Sequence, residues 1–173
     1  MSSPDKPLVV VMGVSASGKS TIGKALAIRL NIVYADGDDF HSKANIAKMR
    51  SGVPLNDEDR RPWLDAIGQW LQAHASKGAV ISCSALKRSY RDRLRAAASD
   101  LYFLHLSDGI EELRRRVTAR KNHFMPASLL DSQLETLEPL QEDEPGIAIN
   151  LTQESETIVT RFLDYLDNTE RRN

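Results

Sequence analysis

Nine consecutive residues constrain this chain more than any others: Gly13-Val14-Ser15-Ala16-Ser17-Gly18-Lys19-Ser20-Thr21. They carry the Gly-x-x-x-x-Gly-Lys-Ser spacing, follow the apolar run Leu8-Val9-Val10-Val11-Met12 and precede a segment of helical periodicity. In that context glycines let the backbone curl until successive N–H groups point inward at a polyphosphate. The helix that follows turns its positive end toward the same anion. Lys19 is then placed to reach the β- and γ-phosphates, and the Ser20 hydroxyl to ligate Mg²⁺. A chance Gly/Ser-rich turn would need neither the β-branched strand before it nor the helix after it.

The rest of the composition narrows the setting. At 173 residues the chain has the size of one domain with a full hydrophobic core. Its 23 basic and 24 acidic residues nearly cancel, which argues against a dedicated nucleic-acid or membrane-surface binder. One cysteine, Cys83, excludes an internal disulfide and fits a reducing compartment. It ends the apolar run Ala79-Val80-Ile81-Ser82-Cys83 and reads as an inert strand residue rather than a reactive thiol. No stretch reaches the roughly 18 apolar residues of a membrane span, and Met1 to Pro7 lack the apolar segment of a signal peptide. The expectation is a soluble, cytoplasmic protein.

Periodicity predicts alternating strands and helices. Ile22, Ala25, Leu26 and Leu30 predict a helix over 19–30, and Ile32 to Ala35 a short strand ending in Asp36-Gly37-Asp38-Asp39-Phe40-His41. Short helices are expected over 42–50 and from Asp57, the latter with an apolar stripe of Trp63, Leu64, Ile67, Trp70 and Leu71 read as core. Gly78 ends that helix. Strands at 79–82, 101–106 and 146–149 then alternate with helices over 86–98, 110–120 and 128–137, and a closing helix carries Ile158, Phe162, Leu163 and Leu166 before fraying from Asn168. Such alternation predicts an α/β three-layer sandwich around a parallel five-stranded sheet. Ligands in such sheets gather beyond the carboxyl ends of the strands, so Asp36 and Asp38 fall on the same rim as Lys19.

A phosphate loop does not say what becomes of the γ-phosphate. A guanine-reading Asn-Lys-x-Asp segment is missing, and the third strand ends in Ser82-Cys83-Ser84 rather than in the carboxylate of a hydrolysing ATPase. The carboxylates stand instead after the second strand, where one can join the metal shell and the other can take the proton of an acceptor alcohol. Taken alone, Asp36, Asp38 and Asp39 would also suit a solvated Asp-Gly turn. Their pairing with the phosphate loop on one rim favours phosphoryl transfer to a small molecule.

The segments around this frame are more specific. Asp36-Gly37-Asp38-Asp39-Phe40-His41, Asn45, Lys48-Met49 and Gly52-x-Pro54-Leu55-x-Asp57-x-Asp59-Arg60-x-Pro62-Trp63-Leu64 resemble the gluconate kinase family. So do Cys83-Ser84-Ala85-Leu86-Lys87-x-x-Tyr90-Arg91-Asp92, Arg120-x-x-His123-Phe124-Met125 and Ser132-Gln133-x-x-Thr136-Leu137-Glu138. The resemblance extends from about Val9 to Asn150. It implies ATP- and Mg²⁺-dependent phosphorylation of D-gluconate to 6-phosphogluconate. It also implies a fold like shikimate and nucleoside-monophosphate kinases, a mobile lid over about 120–144, and a homodimer.

Within that reading the loop Gly13 to Thr21 binds ATP, and Ser20 with Asp36 serves the metal. Asp38 orients or deprotonates the terminal hydroxyl of gluconate, although Asp36 and Asp38 could exchange roles. Arg60 and Lys87 are the candidates for the substrate carboxylate and nearby hydroxyls, Arg60 because a guanidinium grips a carboxylate through two parallel hydrogen bonds. Arg61 is the alternative to Arg60, and a solvated helix face with Arg88 and Arg91 the alternative reading of Lys87. His41 is a candidate hydroxyl partner, or else a helix-capping or merely polar loop residue. Arg120 is expected to neutralise charge on the transferred phosphoryl group, with Arg116 as runner-up. His123 and Gln133 are expected near substrate. Two rivals remain: a shikimate kinase, which shares the loop and the Asp-x-Asp strand end, and an ATP-gated interaction protein without turnover.

Overall fold

Leu8 to Met12 are buried without exception because they form the middle strand of the sheet. The structure, a computed structural model, describes residues 6–119 and 128–171. Strand β1 (Leu8–Met12) is flanked by β3 (Ala79–Ser82) and β4 (Leu101–Ser107), with β2 (Val33–Asp36) and β5 (Gly146–Asn150) at the edges. All four strand pairings are parallel. A strand covered on both faces has no solvated side, so alternation of polar and apolar residues disappears from it.

Its side chains still alternate between two cores. Val9 and Val11 meet Ile22 and Leu26 of α1 (Lys19–Leu30) and Phe162 of α7 (Ser155–Arg171). Leu8, Val10 and Met12 point the other way, toward Ile67 and Leu71 of α3 (Asp57–Ala73) and Leu94 of α4 (Arg88–Ala97). Helix α5 (Ile110–Ala119) adds Leu113 and Val117 to the first core. Three layers result. The strand order β2-β3-β1-β4-β5 puts β2 and β3 on one side of β1 and β4 and β5 on the other, and this reversal of direction opens a crevice at the carboxyl end of β1. The phosphate loop occupies that end. No helix among the described residues is long and apolar enough to cross a membrane.

Helix boundaries have local causes. Asn56 and Asp59 form a reciprocal capping box at the start of α3, with bonds of 2.8 and 2.9 Å, and Ser42 caps α2 (Lys43–Arg50). Two boundaries depart from expectation: α3 stops at Ala73 with His74 as its C-cap, five residues before the expected end at Gly78. Helix α7 does not fray at Asn168 but continues to Arg171, and the Thr169 hydroxyl bonds the Tyr165 carbonyl at 2.8 Å.

The chain between α6 (Ser128–Thr136) and β5 holds no regular element, yet it is fastened to the body. Arg91 is wholly buried and donates through Nε and Nη2 to both carboxylate oxygens of Glu144, at 2.6 and 3.0 Å. Its remaining N–H groups reach the carbonyls of Ala85, Leu86 and Pro139. The Glu138 N–H adds a 2.7 Å bond to the Leu86 carbonyl. Of the expected lid, residues 120–127 lie outside the described residues, whereas 138–144 are bound to the loop after β3.

Removing one partner of a buried ion pair leaves the other charged and desolvated. Glu144→Ala should therefore cost about 3–5 kcal/mol in urea unfolding; a loss below about 1 kcal/mol would show that the clamp carries no stability.

Candidate active site

The phosphate loop keeps the shape its sequence predicts. Gly13, Ala16 and Gly18 have φ values of 150°, 66° and 98°, and turns of this hand bring consecutive N–H groups to one side. Gly18 is the N-cap of α1 and has no side chain to bond the first-turn N–H groups, which leaves them to an outside acceptor. The Ser17 hydroxyl is buried without a partner among the described residues. Lys19 bends back so that Nζ donates to the Val14 carbonyl at 2.8 Å. From above, Gln133 of α6 accepts from the Ser15 N–H at 2.6 Å. From the side, Arg116 bonds Glu112 at 2.9 Å and the Ala16 carbonyl at 3.1 Å.

The acidic residues reach this loop through a tight approach of two strand ends. A side chain at Gly37 would place its Cβ 2.3 Å from the Ser82 carbonyl oxygen, so only glycine lets the turn after β2 press against the end of β3. Residues Gly37–Phe40 then form one turn of 3-10 helix capped by Asp36, whose Oδ1 accepts from the Asp38 N–H at 2.9 Å. The other Asp36 oxygen lies 3.4 Å from the Ser20 hydroxyl. Asp36 is thus turned toward Ser20, and Asp38 lines the same cavity as Lys19.

The opposite wall comes from α2 and α3. Trp63 is buried, donates to the Gly37 carbonyl at 2.7 Å and stacks on His41 with ring centroids 4.2 Å apart. Burial, reinforced by the Arg60 charge, lowers the His41 pKa to about 4, so the ring is neutral near pH 7 and can share hydrogen bonds with hydroxyls. Asn45 contacts His41 Nδ1 at 3.3 Å and also donates to the Asp59 carbonyl, which sets the ring's orientation. Arg60 enters the cavity with Nη1 bonded to the Leu55 carbonyl at 2.6 Å and to the Tyr90 hydroxyl at 3.1 Å. One cavity therefore contains a phosphate-binding backbone, two carboxylates, a neutral imidazole and a guanidinium.

A family model described as shikimate kinase matches residues 15–167. The gluconokinase of Gluconobacter oxydans (strain 621H) is 45% identical over 157 residues, spanning 90% of this chain and 88% of that protein. The chain belongs to the gluconokinase family. Solved relatives share its fold over nearly the full length. A gluconokinase from Sinorhizobium meliloti 1021 superposes with a TM-score of 0.87 at 44% identity, covering 96% of this chain and 94% of that one. A sugar kinase from Janibacter sp. HTCC2649 gives 0.89 at 49% identity, covering 94% and 95%.

Most of the residues singled out from the sequence meet in this family's cavity. Ser15, Lys19, Ser20, Asp36, Asp38 and His41 line it, as do Arg60 and Gln133. Lys87 does not: its ammonium pairs with Asp57 at 3.1 Å, over the ring of Tyr90 and away from the cavity lining. Lys87 is the N-cap of α4, and Asp57 in the acidic first turn of α3 accepts from its ammonium. Arg120 and His123 lie outside the described residues. Trp63, expected as core from its spacing, is also a cavity wall, together with Met49, Leu55, Ser82 and Ser84. Met49 and Leu55 stood within the family-like segments, though no periodicity there indicated a ligand. Cys83 is buried as expected, and desolvation pushes its thiol up to about 12.

The lowered His41 pKa has a direct readout. Its imidazole should titrate near pH 4 by NMR, and the unfolded chain, with a pKa near 6.5, should bind that proton earlier. His41 therefore contributes a loss of stability as pH falls from about 6.5 toward 4 and nothing further below. A midpoint near 6.5 in the folded protein would contradict the desolvated stack on Trp63.

Proposed function

We propose that this chain transfers the γ-phosphoryl group of ATP to the terminal hydroxyl of D-gluconate, giving 6-phospho-D-gluconate and ADP. The observation that carries the reading is the meeting of the phosphate loop and the Asp36/Asp38 turn in one cavity whose far wall is cationic and hydrogen-bonding. Membership in the gluconokinase family supports the choice of sugar acid.

The nucleotide fits what the chain presents. First-turn N–H groups of α1 lack a side-chain cap and the Ser17 hydroxyl has no partner among the described residues, so a polyphosphate supplies acceptors where the fold supplies donors. Lys19 leaves the Val14 carbonyl for the phosphates, exchanging a neutral acceptor for an anionic one that its ammonium binds more strongly. Ser20 and Asp36 are oxygen donors of the kind Mg²⁺ takes, and the ion there would offset charge on the β- and γ-phosphate oxygens.

On the acceptor side Asp38 accepts the hydrogen of the terminal hydroxyl and takes its proton as the new O–P bond forms and the bond to the ADP oxygen breaks. Arg60 holds the carboxylate at the other end of gluconate, and neutral His41 shares hydrogen bonds with hydroxyls between them. Gln133 bridges α6 to the Ser15 N–H, so loading of the loop and the position of α6 are linked through one contact. A homodimer is the assembly that accords with the family resemblance.

Steady-state assays coupled to ADP release should give turnover with D-gluconate and none with shikimate. Lys19→Ala should lower kcat by at least about a hundredfold, as loss of a charge-stabilising donor does. Asp38→Asn should lower kcat by about a hundredfold or more with the ATP affinity changed less than about threefold, the pattern of a lost general base. An unchanged kcat in Asp38→Asn would remove the base assignment. Tight ATP binding with no turnover of any sugar acid would favour the ATP-gated binding protein instead.

A further inference from the structure

Tyr90 sits on α4, outside the cavity lining, with its ring buried and its hydroxyl between two groups of opposite charge. One is Arg60, whose Nη1 donates to it at 3.1 Å. The other is the Asp57 carboxylate, which accepts a short hydrogen bond from it. An ionised carboxylate can only accept, so the phenolic proton must point at Asp57 and the oxygen lone pairs are left for Arg60. Lys87 anchors the far end of this chain by donating to the same Asp57 oxygen at 3.1 Å. Those two donors, Tyr90 first and Lys87 second, hold the Asp57 carboxyl below the usual range and keep it ionised.

The consequence falls on Arg60. Its Nη1 has two hydrogens, and both have protein acceptors, the Leu55 carbonyl at 2.6 Å and the Tyr90 hydroxyl. The guanidinium carbon also lies 5.4 Å from the centre of the Tyr90 ring. Among the described residues nothing accepts from Nε or Nη2. A guanidinium fixed at one nitrogen keeps a planar edge of two parallel N–H groups, the pattern that matches a carboxylate in two bonds. We propose that Tyr90, aligned by Asp57, is a positioning residue that fixes Arg60 so that its Nε–Nη2 edge grips the carboxylate of the acceptor. This rests on the gluconate reading above. It assigns the preference for an acid over an uncharged polyol to a hydrogen-bond chain from α3 to α4, behind the cavity wall. Lys87 serves that chain at its solvent end rather than the substrate directly.

The test is a double-mutant cycle on the full chain, read by the separate KM values for D-gluconate and ATP. Tyr90→Phe keeps the ring under Arg60 but deletes the hydroxyl. It should raise the gluconate KM by about tenfold, the cost of misaligning one charge-assisted contact, and leave the ATP KM within about twofold. Arg60→Ala should raise the gluconate KM further. Adding Tyr90→Phe to it should then change that KM by less than about twofold, since the two residues act as one unit. Should Tyr90→Phe fail to fold, Asp57→Asn takes its place, with a rise in the gluconate KM alone as the expected result. Equal rises in both KM values, or effects of Tyr90→Phe and Arg60→Ala that simply multiply, would overturn the positioning role. So would an unchanged gluconate KM in Tyr90→Phe beside a raised one in Arg60→Ala. A wild-type chain that turns over no gluconate would instead overturn the functional reading beneath it.

Discussion

A row of backbone N–H groups must be held open at the end of a buried strand, and the rest of the molecule is arranged around that requirement. Backbone donors without acceptors are costly when enclosed, so the loop from Gly13 to Thr21 needs either protein partners or an anion. The fold supplies only some of the former. The Gly13 N–H reaches the Ser84 carbonyl at 3.3 Å, and the Ser15 N–H reaches Gln133. The left-handed turns at Ala16 and Gly18 keep the other donors turned together. A central strand buried on both faces, with two apolar cores against it, gives that loop a base that does not yield.

The acceptor side of the cavity is built by long-range contacts onto the same base. Gly37 lets the β2 turn touch β3, Trp63 ties α3 to that turn, and Arg91 with Glu144 binds the chain after α6 to the loop after β3. That last loop supplies Ser84, which in turn bonds the phosphate loop. A buried ion pair is weak evidence of stability in itself, because desolvation opposes the attraction. Here every N–H of Arg91 finds an oxygen, which is the condition under which such a pair can specify one arrangement.

Much of this was legible in the sequence, for reasons that differ by feature. The phosphate loop was readable because its chemistry demands glycine, lysine and serine at fixed offsets, and β1 because a doubly covered strand is apolar throughout. Strand and helix positions followed from period, mostly within a residue or two of the observed ends. What period cannot carry is pairing between distant side chains. Arg91 looked like one more base on a polar helix, although its partner lies 53 residues away. Gln133 meets Ser15 across 118 residues, a contact that nothing in the sequence pattern indicates. The place of Lys87 beyond a strand end gives no sign of its ion pair with Asp57, 30 residues earlier in the chain. The 3-10 turn at Gly37–Phe40 was visible as an Asp-Gly signal, but its direction depends on the Ser82 carbonyl against which it packs.

The central claim is that a phosphoryl donor and a sugar-acid alcohol meet beyond the carboxyl end of β1 with Asp38 between them. A crystal structure with Mg²⁺, a non-hydrolysable ATP analogue and D-gluconate tests it most directly. The account predicts the terminal hydroxyl about 3 Å from the Asp38 carboxylate and roughly in line with the γ-phosphorus, with the sugar-acid carboxylate on Arg60. Gluconate bound in the reverse sense, its carboxylate toward the phosphate loop and its terminal hydroxyl remote from Asp38, would contradict it.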